Sequence, residues 1–256
     1  MIAATMPQFT DPEAIARALL QARAQHRPAS PAPWAIADAD AGYAVQERTL
    51  DVLGPATAWK VGAKSPTSPM SCSPLPSSGV LPSGAVLKGA EWQLRGIEVE
   101  LAVRLRRDIE DADLDDAARL SSAIGEALPA IEVVETRLAD WRESDPLQQL
   151  ADLQNHGALV LGAAVPWSAQ APVDLRTLRA TLVFDGQPVA DSRGSHPVGD
   201  VLPLLAWLAR HARDRGRPLR AGDVVTTGSC TGLLFAWEGA RVQADVEGIG
   251  RVELQF

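Results

Sequence analysis

Glu98 and Glu100 sit two apart in the run Gly96-Ile-Glu-Val-Glu-Leu-Ala-Val103, with Ile97, Val99, Leu101 and Val103 at the alternate positions. That is strand spacing, and side chains on a strand alternate faces, so both carboxylates project from one side. Two like charges held a few Å apart repel unless a cation lies between them. Hard oxygen donors of this kind suit a divalent ion such as Mg²⁺ or Mn²⁺. Continuing the same face gives Ala102, Arg104 and Arg106, so the spacing also fits a half-buried strand with a solvated Glu/Arg side. The pattern by itself leaves both open.

The elements that must position this pair follow from punctuation and periodicity. Asp11-Pro12 has the form of an N-cap and a proline at the first helical position, opening a helix to about Gln25 with Ile15, Leu19 and Ala22 on one face. A second helix is expected from about Ala41 to Leu53, ending at Gly54-Pro55. Trp59-Lys60-Val61-Gly62 reads as a short strand. The stretch from Ser65 to Gly84 is rich in serine and proline, lacks apolar periodicity and reads as a long loop of the kind that forms lids or binding loops. After strand 97–105 a helix is expected near 115–127, then strands at Ile131–Glu135 and Gly157–Gly162. Thr181–Phe184 and Gln187–Ala190 flank a tight Asp185-Gly186 turn. Asp200 to about Arg215 is an amphipathic helix with Val201, Leu204, Leu205 and Leu208 inward, and Arg241–Val246 with Arg251–Phe256 form a closing hairpin. Strands and helices do not alternate regularly. The expectation is an α+β fold: a mixed, mainly antiparallel sheet core, helices outside it, and a small helical N-terminal portion (1–64) continuous with a metal-binding portion (65–256).

The chain has 256 residues, 46% of them hydrophobic, and a formal net charge of −8. A core of useful size is therefore available. The negative balance and dispersed basic residues exclude a role dominated by nucleic-acid phosphates. Cys72 and Cys230 are the only cysteines, which points to reduced thiols rather than a zinc site or disulfide framework. Met1 to Glu13 lacks the pattern of a secretory leader and no stretch reaches membrane-spanning length, so a cytoplasmic protein without a membrane partner is expected.

An ordered set of segments resembles the 2-keto-4-pentenoate hydratase and 4-oxalocrotonate decarboxylase branch of the fumarylacetoacetate hydrolase superfamily. The segments are Tyr43-Ala-Val-Gln46, Trp59-Lys-Val-Gly62, Glu98-Val-Glu100, Pro129-Ala-Ile-Glu-Val-Val-Glu-Thr-Arg137 with Asp140-Trp141, Asp152 to Gly162, Ala206-Trp-Leu-Ala209, Leu219-Arg-Ala-Gly-Asp223, Thr227-Gly-Ser-Cys-Thr-Gly232 and Ala244 to Phe256. The resemblance covers most of the chain from about Tyr43. It implies that Glu98, Glu100 and Glu132 hold Mg²⁺ or Mn²⁺, that the substrate is a small 2-oxo acid or 2-hydroxydienoate chelating that ion, and that the chain assembles into a homo-oligomer, with a decarboxylase as a possible partner. It implies addition of water to the substrate in the catabolism of aromatic compounds. Decarboxylation of a 2-oxo dicarboxylate, hydrolysis of an acylpyruvate, and a catalytically silent metal-binding subunit are the alternatives.

Roles for other residues follow. Chemistry of this kind needs an acid or base beside the metal, and Lys60 is the candidate, with Trp59 and Val61 as apolar flanks that would lower its pKa. Gly228, Ser229 and Thr231 belong to a glycine-flanked loop whose N–H groups and hydroxyls suit a carboxylate, or alternatively to a strand-to-strand turn. Arg137 is a second anion contact. Two departures from the family pattern stand out. The loop that in hydratases commonly carries Asp-Tyr-Gly here reads Ser77-Ser78-Gly79, and a segment that in relatives often begins Asp-Asn here reads Asp152-Leu153-Gln154-Asn155-His156. His156 is a candidate replacement base.

Overall fold

The computed structural model describes residues 11–28 and 34–256; residues 1–10, most of the segment behind the leader expectation, lie outside it. The helices are α1 (Pro12–Gln25), α2 (Ala39–Leu53), α3 (Ala117–Ala123), α4 (Pro146–Ala151) and α5 (Val201–Asp214). The strands are β1 (Ala56–Gly62), β2 (Ser71–Pro76), β3 (Val80–Pro82), β4 (Ala85–Val86), β5 (Gly96–Leu105), β6 (Ile124–Val134), β7 (His156–Leu161), β8 (Val165–Pro166), β9 (Arg179–Phe184), β10 (Gln187–Arg193), β11 (Val224–Ser229), β12 (Leu234–Phe235), β13 (Arg241–Val246) and β14 (Gly250–Gln255). The expected mixed α+β architecture is what the chain adopts.

One sheet runs β2-β1-β11-β5-β6-β7-β3, with β12 paired to β5 and β8 to β6. Its edge strands β2 and β3 are joined by a single helical turn, Ser77–Gly79. The sheet therefore curls until its two edges approach, and a Cβ on Gly79 would lie 2.8 Å from the His156 ring at the start of β7. The inner face of the curl is filled by Ala58, Leu75, Ala102, Leu128, Ala130, Leu159 and Val224. A second sheet, β10-β9-β13-β14-β4, packs with the outer face, where Val99, Leu101 and Ile131 join Leu182, Phe184 and Val242 in the main core. Helix α5 adds Val201, Leu204, Leu205 and Leu208 to that core, as its periodicity predicts. Helix α1 starts at the Asp11 cap and buries Ile15, Ala16 and Leu19 beside Val45 of α2 and Ala151 of α4.

Two expectations fail. Ser65–Gly84 is not one structureless loop: β2 and β3 lie within it. Pro74 and Pro76 hid β2, yet β2 is a sheet edge, where a missing N–H removes no ladder bond. The helix expected at 115–127 is shorter, capped by Asp116 and ended at Ala123. From Ile124 the chain pairs antiparallel with β5, from Leu105↔Ile124 to Gly96↔Val134. Strand pairing along that whole edge overrides the local helical preference of the alanines and serines. The strand expected at Ile131–Glu135 is thus the end of a longer one.

Candidate active site

Cross-strand register brings the carboxylates together. Glu98 of β5 lies opposite Glu132 of β6, and Glu100 follows on the same face. Ligand atoms of Glu98, Glu100 and Glu132 all lie within 4.8 Å of one another. The face is not solvated: Glu100 is 2% exposed, Glu132 and Ala102 are 0% exposed, and Glu98 is half-buried. These side chains sit on the inner face of the curl, just beyond its apolar filling.

Lys60 reaches the same place from β1, in register with Thr226 of β11. Its Nζ donates to Glu132 Oε1 and, at 3.1 Å, to the Gln154 carbonyl. The expectation of a lowered pKa is reversed. Burial does pull the ammonium down, but the charges of Glu132, Glu98 and Glu100 with the Glu132 hydrogen bond outweigh it, and the net shift is upward. Lys60 is held as a cation.

Burial acts on the carboxylates in the opposite sense. Glu98 is pushed up to about 7 by desolvation and by Glu132, with Lys60 and Ser229 drawing it partly back. Glu100 is pushed up to about 8 by desolvation, Glu132 and Glu98, against a hydrogen bond from Thr226. Thr226 Oγ1 and the Gly228 N–H, the latter at 2.9 Å, both donate to Glu100 Oε2. The carboxylate that the glycine loop binds is therefore one of the chain's own. Gly228, at φ 106°, is where the backbone turns to make that approach. Ser229 pairs across from Glu100, whereas the Thr231 hydroxyl is engaged by the Val99 N–H and the Gly232 carbonyl.

A buried carboxylate oxygen without a partner is costly, and Glu132 Oε2 has none among the described residues. Three oxygen-donor side chains converging around such an atom fit a hard divalent cation. This group could hold a metal.

Arg137 stands apart. It is 5% exposed, its Nε donates to Asp152 Oδ1 at 2.6 Å, and its terminal nitrogens donate to the carbonyls of Asp152 and His156 at 3.0 and 2.9 Å. It links the two ends of a turn in which Leu153, Gln154 and Asn155 take φ of 50°, 52° and 58°. Left-handed backbone costs a non-glycine residue about 1–2 kcal/mol, so this turn needs such a brace. His156 is 0% exposed, and neither ring nitrogen has a partner among the described residues. Burial and the charges of Lys60, Arg23 and Arg137 keep its pKa well below the ordinary value, so the ring is neutral. A cavity of about 280 Å³ lies on the side of Arg23, Trp92 and Arg137; Glu91 and Glu135 line it, and Glu98, Glu100 and Glu132 do not.

Sequence reasoning missed Thr226, Ser71 and Gln154. A threonine two residues past Val224 on a strand carries no signal until register sets it beside Lys60. Gln154 had one signal, its place in the segment that departs from the family pattern.

Fold and site together define a curled-sheet protein with an inward-facing carboxylate triad able to take a divalent ion. The chain belongs to the fumarylacetoacetate (FAA) hydrolase C-terminal family, whose model matches residues 45–256. It is 29% identical to the 2-keto-4-pentenoate hydratase 2 of Dechloromonas aromatica (strain RCB) over 97% of this chain and 98% of that one. It is 34% identical to the 2-keto-4-pentenoate hydratase of Paraburkholderia phymatum over 62% of this chain and 60% of that one. Among solved structures, 4-oxalocrotonate decarboxylase from Pseudomonas putida G7, complexed with magnesium and adipate, superimposes with a TM-score of 0.83 over 99% of this chain and 100% of that one at 21% identity. That likeness is one of fold.

Proposed function

We propose that the protein is a divalent-metal-dependent hydratase that adds water to a small 2-hydroxydienoate or 2-oxo-enoate, with Glu98, Glu100 and Glu132 holding Mg²⁺ or Mn²⁺. The observation that carries this reading is the buried triad with its unpartnered Glu132 Oε2 beside Lys60. Similarity to a 2-keto-4-pentenoate hydratase along nearly the whole chain supports the substrate class. Bound there, a divalent ion supplies Lewis acidity to the carboxylate and 2-oxygen of a 2-oxo acid.

The chain's own residues handle protons. Lys60 and His156 are driven to opposite protonation states, one by acidic neighbours and the other by burial among cations. Neighbouring groups set apart in this way are suited to act as acid and base. As the oxygen of water bonds to the far carbon of the conjugated alkene, one of its protons passes to the neutral His156 ring. Lys60 Nζ supplies the proton that the neighbouring carbon needs, and a proton returned from His156 to Lys60 restores the starting state. A 2-hydroxydienoate first becomes the 2-oxo-enoate by the same relay, its 2-hydroxyl proton passing to His156 while Lys60 protonates its terminal carbon. Ser229 and the Gly228 N–H keep Glu98 and Glu100 in place. Of the two arginines that could meet a second substrate carboxylate, Arg137 is fully engaged with Asp152 and two carbonyls and Arg142 lies over the Trp141 and Phe235 rings, which supports hydration over decarboxylation of a dicarboxylate.

The test is turnover. The protein is given Mg²⁺ or Mn²⁺ with 2-hydroxypenta-2,4-dienoate, 2-oxohex-3-enedioate and acylpyruvates while ultraviolet absorbance and CO₂ release are followed. The hydratase reading expects metal-dependent loss of absorbance with the dienoate and no CO₂. Release of CO₂ from the dicarboxylate, or cleavage of acylpyruvates alone, contradicts it.

A further inference from the structure

Gln154 is placed with unusual care for a residue with no charge. It is the middle of three consecutive left-handed residues, none of them glycine. L-residues enter that region singly and at a cost, so three in a row persist only when the surroundings impose them. Here the Arg137–Asp152 pair does so. Asp152 accepts from the Arg137 backbone and side chain, Arg137 donates onward to the His156 carbonyl, and the Asn155 N–H returns to the Asp152 carbonyl at 2.9 Å. The consequence of this geometry is local to Gln154: its carbonyl meets Lys60 Nζ at 3.1 Å and its Nε2 donates to Ser71 Oγ at 2.7 Å.

Ser71 pairs across from Gly62, and Ser73 across from Lys60, so Ser71 shares the inner face with Lys60, one step further toward the rim of the curl. The Gln154 carboxamide thus spans from the turn before β7 to β2, over Lys60. One end of that amide is engaged by Ser71. The other, Oε1, is shielded from solvent and has no partner among the described residues. Turning the amide over would engage Oε1 with the serine hydroxyl and leave Nε2 free instead, because a hydroxyl both donates and accepts. Either way one shielded end of the carboxamide is unmatched, on a residue whose own carbonyl meets Lys60, which a purely structural glutamine would avoid.

The geometry points to Gln154 as the residue that holds the oxygen delivered by water addition: its free amide end hydrogen-bonds the attacking water and then the new hydroxyl of the 4-hydroxy-2-oxo acid product. The inference rests on the hydratase reading and deepens it by naming the feature the site recognises. A hydroxyl suits either end of the amide, since it can give or take the bond. Gln154 neither gains nor loses a proton in the reaction. It is a positioning residue whose contact is strongest with the product and absent from an analogue that lacks the hydroxyl.

The experiment is calorimetric binding of 4-hydroxy-2-oxopentanoate and of 2-oxopentanoate to the Mg²⁺-loaded full chain, in the parent and in Gln154→Gly and Gln154→Leu. The parent is expected to favour the hydroxylated ligand by about tenfold, the scale of one well-made hydrogen bond. Both variants are expected to reduce that ratio to within about twofold, while affinity for 2-oxopentanoate and for Mg²⁺ is retained. Gln154→Gly keeps the carbonyl that meets Lys60 and accepts a φ near +50° freely, so its thermal midpoint is expected to stay within about 2 °C of the parent. Gln154→Leu separates loss of the amide from loss of side-chain bulk. An unchanged ligand ratio in both variants overturns the inference, as does a parent that binds the two ligands equally. If neither ligand binds although Mg²⁺ does, the hydratase reading fails and this inference falls with it.

Discussion

At Lys60 two residue-scale effects compete and their balance sets the chemistry. Its apolar neighbours in sequence, Trp59 and Val61, argue for an amine that gives up its proton. Its neighbours in space, Glu132, Glu98 and Glu100, keep the proton on. Lys60→Met is therefore expected to leave divalent-metal binding intact or tighter, because a competing cation is removed. Turnover is expected to fall by about 10²–10⁴-fold, the usual contribution of a positioned acid or base. Metal titration and steady-state kinetics on the same preparation check this, and near-parental turnover would remove Lys60 from the mechanism. The carboxylates were legible because strand alternation alone puts Glu98 and Glu100 on one face. Glu132 needed the family resemblance, since nothing local says that it will pair across from Glu98. Gly228 was read as part of an anion-binding loop; it is one, but the anion is Glu100.

At the scale of elements, the feature that positions the site is the braced turn between α4 and β7. Arg137 and Asp152 are 5% and 3% exposed, so removing one leaves the other as an unmatched buried charge. Arg137→Met is expected to cost about 3–5 kcal/mol of stability. Denaturant unfolding measures it, and a loss near zero would mean that the turn holds itself. Elements with a strong periodicity or cap were readable in the sequence: α1 from Asp11-Pro12, α5 from its apolar stripe, and the β9–β10 and β13–β14 hairpins from alternation around glycine turns. Those defined by their partners were not. β2 is disguised by Ser-Pro composition that only an edge position tolerates, and the first half of β6 looks helical until β5 is set beside it. The left-handed turn at Leu153 to Asn155 is invisible for the same reason, because only Asn155 among its residues tolerates that backbone readily and its cause, Arg137, is distant in the chain.

At the scale of the whole molecule, the curl of the first sheet draws three carboxylates and a lysine onto its inner face, and the second sheet and α5 cover the outside. Among the described residues no helix is long and apolar enough to cross a membrane. Clustering carboxylates away from water destabilises the metal-free fold in a pH-dependent way. Glu98 and Glu100 titrate near 7 and 8 in the folded chain against an ordinary value of 4.5. Through these two groups the folded state binds more protons than the unfolded one, while the buried neutral His156 acts in the opposite sense below its ordinary value of 6.5. Stability of the metal-free protein is therefore expected to fall as pH rises from about 6.5 to about 8. A divalent ion reverses this, because it binds the deprotonated triad and releases those protons. At a free Mg²⁺ concentration about 100 times Kd the gain is about 2.7 kcal/mol. For a chain of this size that raises the thermal midpoint by about 5–10 °C. The rise is expected to be larger at about pH 8.5 than at about pH 6. Differential scanning calorimetry at both values checks the size and the order, and a larger effect at the lower pH would contradict the account.

The most direct test of the central claim is a Mn²⁺ titration, read calorimetrically, of the parent and of Glu98→Gln, with circular dichroism to verify that both are folded. The account predicts one site per chain in the parent and a loss of at least about 100-fold in affinity in the variant, as expected when one charged oxygen ligand of three is neutralised. A folded Glu98→Gln variant that binds Mn²⁺ as tightly as the parent would contradict it.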